Sequence, residues 1–172
     1  ISPSARTATS AAASGIARDN IVFGQTHTHA GPDLQGLWGG VPQDWIHTVL
    51  YPAAAEVAVR ALGEMQPAEL EISHGDMAQW NNYRRPRRID PEQDAETRAT
   101  LLKARGTRSG EVLASLLQFN AHPTSINEDP RVPHPDFILG AVDHLESRFG
   151  GSVALYFNGP IADASASGPT TG

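Results

Sequence analysis

Apolar and polar positions recur along the chain with two different periods, and the switches between them outline interleaved helices and strands. Ser4 to Ser14 is rich in alanine with scattered Ser and Thr, and Gly15 closes it, which predicts a short helix with a glycine C-terminus. Arg18-Asp19-Asn20 turns the chain into a predicted first strand, Ile21 to Thr26. From about Gln43 to Met65 the residues Ile46, Leu50, Ala53, Val57, Ala61 and Met65 fall three or four apart, which predicts a long helix with one apolar face. Pro52 lies inside it. An interior proline removes one backbone hydrogen bond at a cost of about 3 kcal/mol, so a kink or break is expected there. His47 reads as an ordinary histidine of that helix.

The second half reads mainly as strands. Ala68 to His74 alternates loosely and predicts a second strand. Thr97 to Ala104 and Glu111 to Asn120 predict a β-hairpin joined through Arg105–Gly110. Its second arm, Val112 to Phe119, is nearly all apolar, as a central strand covered on both faces would be. Asp136 can cap a helix running to about Arg148, with Phe137, Ala141, Leu145 and Phe149 on one face and His144 on its surface. Ser152 to Phe157 is the last predicted strand. No repeat or internal boundary is visible, so a single domain over residues 1–172 is expected. Its class is α/β, a mixed β-sheet flanked by helices with active-site loops at one edge of the sheet.

Composition narrows the partners. The chain has 172 residues, 40% hydrophobic and 19% charged, enough for a domain with a real core. A net charge of −6 argues against nucleic acid. Cysteine is absent, so disulfides and thiolate metal sites are excluded, and any metal must be held by His, Asp, Glu or Tyr. No apolar run approaches the roughly 20 residues of a membrane span. The first residues carry neither Met nor a signal pattern and the last are loop-like, so both ends read as cut from a larger protein.

The chemistry gathers around Gln25-Thr26-His27-Thr28-His29-Ala30-Gly31-Pro32. In an extended backbone His27 and His29 point to one side, roughly 6–7 Å apart at Cα. Two imidazoles so placed can share a metal, or one can bind it while the other handles protons or substrate. The following loop, with Leu34, Leu37, Trp38 and Val41 among glycines, either lines a substrate mouth or simply packs on the domain. Two further strand ends share this local grammar: Asn120-Ala121-His122-Pro123 and Asp163-Ala164-Ser165. Their convergence would give a site of two or three histidines, which suits catalytic zinc with three protein ligands and a water. The arginine-rich stretch Arg84-Arg85-Pro86-Arg87-Arg88 reads by composition as a solvated loop, or supplies one arginine to a carbonyl or anion.

Alternatives remain at this point. A His-X-His at a strand end also opens amidohydrolase-type barrels and polymerase-and-histidinol-phosphatase-type domains, with His74, His122 and Asp163 as further ligands. The hairpin breaks the strict βα alternation that such barrels need. A serine hydrolase built on Ser165 lacks the Gly-x-Ser-x-Gly elbow. A non-catalytic module would bind amphipathic ligands through the Leu34–Val41 loop.

With these motifs in view, the chain resembles the N-terminal catalytic domain of the neutral/alkaline, non-lysosomal ceramidases and their bacterial relatives. Thr26-His27-Thr28-His29-Ala30-Gly31-Pro32 is similar to that family's Thr-His-Thr-His-Ser-Gly-Pro. Phe119-Asn120-Ala121-His122-Pro123-Thr124-Ser125 is similar to its Phe-Ala-Val-His-Pro/Gly-Thr-Ser. The resemblance implies hydrolysis of the ceramide amide bond, or that of a related lipid amide, to sphingosine and a fatty acid with one Zn2+. It implies His27 and His122 as zinc ligands and His29 beside the zinc, assisting substrate or proton transfer. By looser matches it implies Arg84 near the substrate carbonyl, and Asp163 and Ser165 in the segment similar to Gly-Asp-Val-Ser, Ser165 as a catalytic and Asp163 as a substrate-binding residue. Trp38 is expected at the substrate mouth. The family's remaining zinc ligands, a Glu and a Tyr, fall downstream of this chain, with Asp163 or Glu128 as local candidates to complete the shell. The resemblance further implies secretion or a cell-surface location, and access to substrate at a membrane surface.

Overall fold

The structure is a computed structural model that describes residues 3–83, 97–125, 132–162 and 164–166. They form two compact units. Of these, residues 3–24 and 32–66 make up the first, and residues 25–31 with the described residues from 67 onward the second.

The first unit is helical. α1 spans Pro3–Ser14 and ends where Gly15 takes a φ of 74°, its N–H bonded to the Ala11 carbonyl at 2.9 Å. That is the predicted glycine terminus. The second helical stretch begins as α2, Gln43–Trp45, passes through a π-helical turn, Ile46–Leu50, and continues as α3, Tyr51–Gly63. The expected break at Pro52 is therefore a π turn placed just before it. Pro52 has no N–H to offer the preceding turn, and Thr48 Oγ1 donates to the Asp44 carbonyl at 2.7 Å, so the regular ladder is already disturbed there.

The apolar face also differs from the predicted one. Ile46 is buried as expected, but Val57 is 66% and Met65 73% exposed, and Ala55, off the predicted face, is buried. α1 packs on α3, and Ser10 of α1 is fully buried. The buried residues of the two helices, Ser10 in α1 and Ala55 in α3, are small, which suits a close approach.

The second unit is built on a four-stranded mixed sheet in the order β1-β3-β4-β5, with β1 at Ala68–Asp76, β3 at Arg98–Gly106, β4 at Val112–Phe119 and β5 at Val153–Asn158. The β1–β3 and β3–β4 pairs are antiparallel, and β4 and β5 are parallel. The parallel pair requires a crossover, supplied by α4, Phe137–Arg148. The fold is α/β, as expected. A second ribbon pairs β2, Asn81–Tyr83, with β6, Ala164–Ala166. Three-residue strands carry too little pattern to be read from sequence.

Two expectations change here. Residues 21–26 form no strand among the described residues, and the carbonyls of Gln25 and Thr26 are bonded by the Asn158 side chain, at 3.1 and 2.8 Å. β4 is central in order but covered on one face. Phe119, Ala121, Ile138 and Tyr156 form the core beneath α4, with Phe137 edge-on to Phe119 and Tyr156. Within this unit the opposite face leaves Leu70, Ile72, Val153 and Leu155 mostly exposed.

The parallel strands leave the sheet together. Gly159 N–H donates to the Phe119 carbonyl at 3.0 Å, extending the β4–β5 ladder by one rung, and Gln118 Nε2 donates to Asn120 Oδ1 at 2.6 Å. A Cβ at position 159 would collide with both of those side chains, so the close approach requires glycine.

Candidate metal centre

His122 lies four residues beyond Gln118 and just past the end of β4. Its N–H donates to the Ala164 carbonyl at 2.8 Å, and it forms an isolated parallel bridge with Ser165, so β6 clamps its backbone. The Asn120 carbonyl accepts from Asn81 Nδ2 at 2.6 Å, which ties the same segment to β2. The imidazole is buried, and its Nδ1 stands 3.1 Å from the Ile161 carbonyl. A carbonyl can only accept, so Nδ1 carries the proton and Nε2 presents its lone pair. That is how a metal-binding histidine is usually oriented.

His27 and His29 sit on a loop, not on a strand. His27 has a φ of 61°, in the left-handed region, which places it outside the extended geometry expected from the sequence. Such a residue costs about 1–3 kcal/mol and persists where its surroundings hold it. The holding contacts flank it on both sides. Asn158 binds the two preceding carbonyls. Beyond it, Thr28 Oγ1 donates to the His134 carbonyl at 2.9 Å and His134 N–H donates to the Ala30 carbonyl at 3.0 Å.

The three imidazoles come together. Ring centroids are 5.1 Å apart for His27 and His29, 4.5 Å for His27 and His122, and 5.0 Å for His29 and His122. One nitrogen from each lies within 4.8 Å of the others. Nε2 of His122 and Nε2 of His29 are 3.1 Å apart. Two lone pairs facing each other at that distance repel unless a proton or a cation lies between them. Two imidazole nitrogens on one tetrahedral zinc, each about 2.0–2.1 Å from it, stand about 3.3 Å apart. The donor set therefore fits a cation, with no carboxylate or thiolate among the described residues of the cluster.

Other candidate residues fall elsewhere. Ser165 lies on β6 and its backbone bridges His122. Trp38 belongs to the first unit and is 81% exposed. Its loop is organised by Asp33, whose carboxylate accepts from the backbone N–H groups of Gln35, Gly36, Leu37, Trp38 and Gly40 at 2.8–3.3 Å. Those bonds, that of Trp38 foremost, hold its carboxyl below the usual range. His74 is exposed on β1, Nδ1 3.1 Å from Thr100 Oγ1, and is not a member of the histidine cluster. Arg84, Glu128 and Asp163 lie outside the described residues.

Sequence reasoning passed over three supporting residues: Asn158, His134 and the backbone role of Asp136. Only Asp136 had a readable signal, as a helix cap.

No protein-family model matches the sequence, and no curated protein matches it. Solved structures do. A crystal structure of neutral ceramidase from Pseudomonas aeruginosa superposes with a TM-score of 0.65 at 20% identity, covering 86% of this chain and 26% of that one. A ceramidase complexed with C2 gives 0.60 at 19% identity, covering 92% of this chain and 28% of that one. The chain thus spans about a quarter of the length of these proteins, and over that stretch it shares the fold of the neutral ceramidases.

Proposed function

We propose that this chain carries part of the active site of a zinc-dependent, ceramidase-like hydrolase that cleaves the amide bond of a lipid substrate. The observation that carries the reading is the cluster of His27, His29 and His122 on a ceramidase fold. A zinc held there would supply Lewis-acid polarisation of the amide carbonyl and acidify water to a pKa of about 7. Nε2 of His122 is directed into the cluster by the Nδ1–H bond to Ile161. His27 completes the pair of ligands. His29, exposed beside that pair, can hold or pass a proton on its imidazole and so serve the leaving amine. Ser165, Asp163, Arg84 and Trp38 are assigned to substrate handling by resemblance alone. The remaining ligands belong to a longer polypeptide, so amide hydrolysis is expected of a chain that supplies them, working at a membrane surface where lipid amides reside and reached by secretion.

The test is zinc per mole of the 172-residue chain after dialysis against a weak chelator. Near one equivalent is expected for the parent, with a loss in His27→Ala and in His122→Ala. Full occupancy in both variants refutes the assignment. Two metals per chain would favour a binuclear phosphoesterase or amidohydrolase instead.

A further inference from the structure

Among the described residues only two that are not glycine have a positive φ: His27 and Asp136. Asp136, at φ 60° and ψ −152°, occupies a region that is essentially reserved for glycine. The two are far apart in sequence, yet they are joined by a short chain of hydrogen bonds. Asp136 N–H donates to His134 Nδ1 at 3.2 Å. His134 in turn accepts from Thr28 through its carbonyl and donates to Ala30 through its N–H, bracketing His29. On its other side the Asp136 carboxylate accepts from Ser125 N–H at 3.0 Å, from Ser125 Oγ and from Phe137 N–H at 2.8 Å. Ser125 is three residues past His122. Asp136 is itself buried.

A helix cap alone explains the bond to Phe137 and nothing more. It does not require a glycine-only backbone, nor a direct bond to the loop after His122 together with a bond to His134, which holds the His27–His29 loop. We propose that Asp136 is a positioning residue for the three-histidine cluster: its carboxylate fixes the loop after His122, its backbone fixes the His27–His29 loop through His134, and the left-handed turn sets the spacing between the two. The cluster geometry carries this directly, and only its metal arm rests on the function proposed above. Strained residues held by their surroundings collect where geometry matters, and here both such residues belong to one network.

Asp136→Gly separates positioning from stability. Glycine adopts the observed backbone freely, so relief of strain offsets the lost cap and the chain is expected to fold. Two readouts are taken on the whole chain. In the metal-free protein, histidine-labelled NMR should show ring-to-ring contacts between His29 and His122 in the parent and their loss in Asp136→Gly, at unchanged far-UV circular dichroism. In a Co2+ titration the variant should bind about ten- to a hundredfold more weakly with an altered visible spectrum, the usual effect of removing an outer-shell partner. Retained ring contacts in a folded Asp136→Gly overturn the proposal, as does a lowered melting temperature with ring contacts intact. If Asp136→Gly does not fold, Asp136→Asn, which keeps an oxygen for Phe137 and sets an amide against Ser125, is read by the same criteria. A parent that shows the ring contacts and binds no Co2+ counts against the zinc reading, while the ring contacts still decide the role of Asp136.

Discussion

Replacing Gly159 by alanine tests the close approach of the two parallel strand ends. The added methyl group would be driven into the side chains of Asn120 and Gln118, which are bonded to each other. Asn120 is buried, and its carbonyl is bonded by Asn81, so its backbone is held. Making room breaks the Gln118–Asn120 bond, a net loss of about 1 kcal/mol. It also strains the strand ends, and overpacking of this kind costs about 1–3 kcal/mol. The sum is about 2–4 kcal/mol, a large fraction of the stability of an ordinary domain, which is about 5–15 kcal/mol. The assay is urea unfolding followed by circular dichroism, with a lower midpoint and an unchanged slope. Asn120→Ala removes one of the two obstacles and the bond that holds the other in place, so in a double-mutant cycle the cost of Gly159→Ala should fall by about half or more. A cost below about 0.5 kcal/mol, the usual range of a neutral surface change, would refute the steric reasoning. So would a cost indifferent to the residue at 120.

Three further outcomes are expected. Asn158→Ala should free the carbonyls that precede His27 and lower metal affinity about tenfold, as measured by competition with a chromophoric chelator. Hydrogen bonds from Arg105 and then Lys103 hold the Glu71 carboxyl at about 2, below its ordinary 4.5. Its contribution is therefore present above the unfolded value and lost as pH falls through the folded one. The pair is exposed, so the contribution is small and salt-screened; Glu71→Gln should flatten the acid limb of stability at low salt and change nothing at high salt. Asp33→Ala should accelerate amide exchange at Gly36, Trp38 and Gly40 by removing their shared acceptor, and equal exchange rates would show that the carboxylate does not organise the loop.

Elements with long, one-period patterns were legible before the structure. The hairpin of β3 and β4 and the helix after Asp136 both carry enough residues for their period to stand out, and each is where the sequence places it. Residues 21–26 have the apolar content of a strand, but content says nothing of whether a segment joins a sheet. The helix face was misread for a related reason. Large side chains dominate a periodicity count, while the buried residues of α1 and α3 are the small Ser10 and Ala55. The meeting of His27, His29 and His122 is expected from a shared grammar at strand ends, but only His122 follows a strand; His27 and His29 reach it from a loop. The left-handed backbone of His27 could not be foreseen, because it is imposed by bonds to residues more than a hundred positions away.

Those separations also fix an order of assembly. The contacts that close the histidine cluster join residues 93, 106 and 132 positions apart, whereas β3 and β4 meet through a short turn. Closure entropy is rewarded only once the distant partner is in place, so the sheet must form before the loop carrying His27 and His29 can dock. The same contacts are then the first to open in the native state. A cation bound only to the closed form adds its binding free energy to that last step, about 2.7 kcal/mol at a hundredfold excess over its dissociation constant. Metal would thus convert the latest and loosest closure of the chain into one of its most persistent, and slow its unfolding from that end.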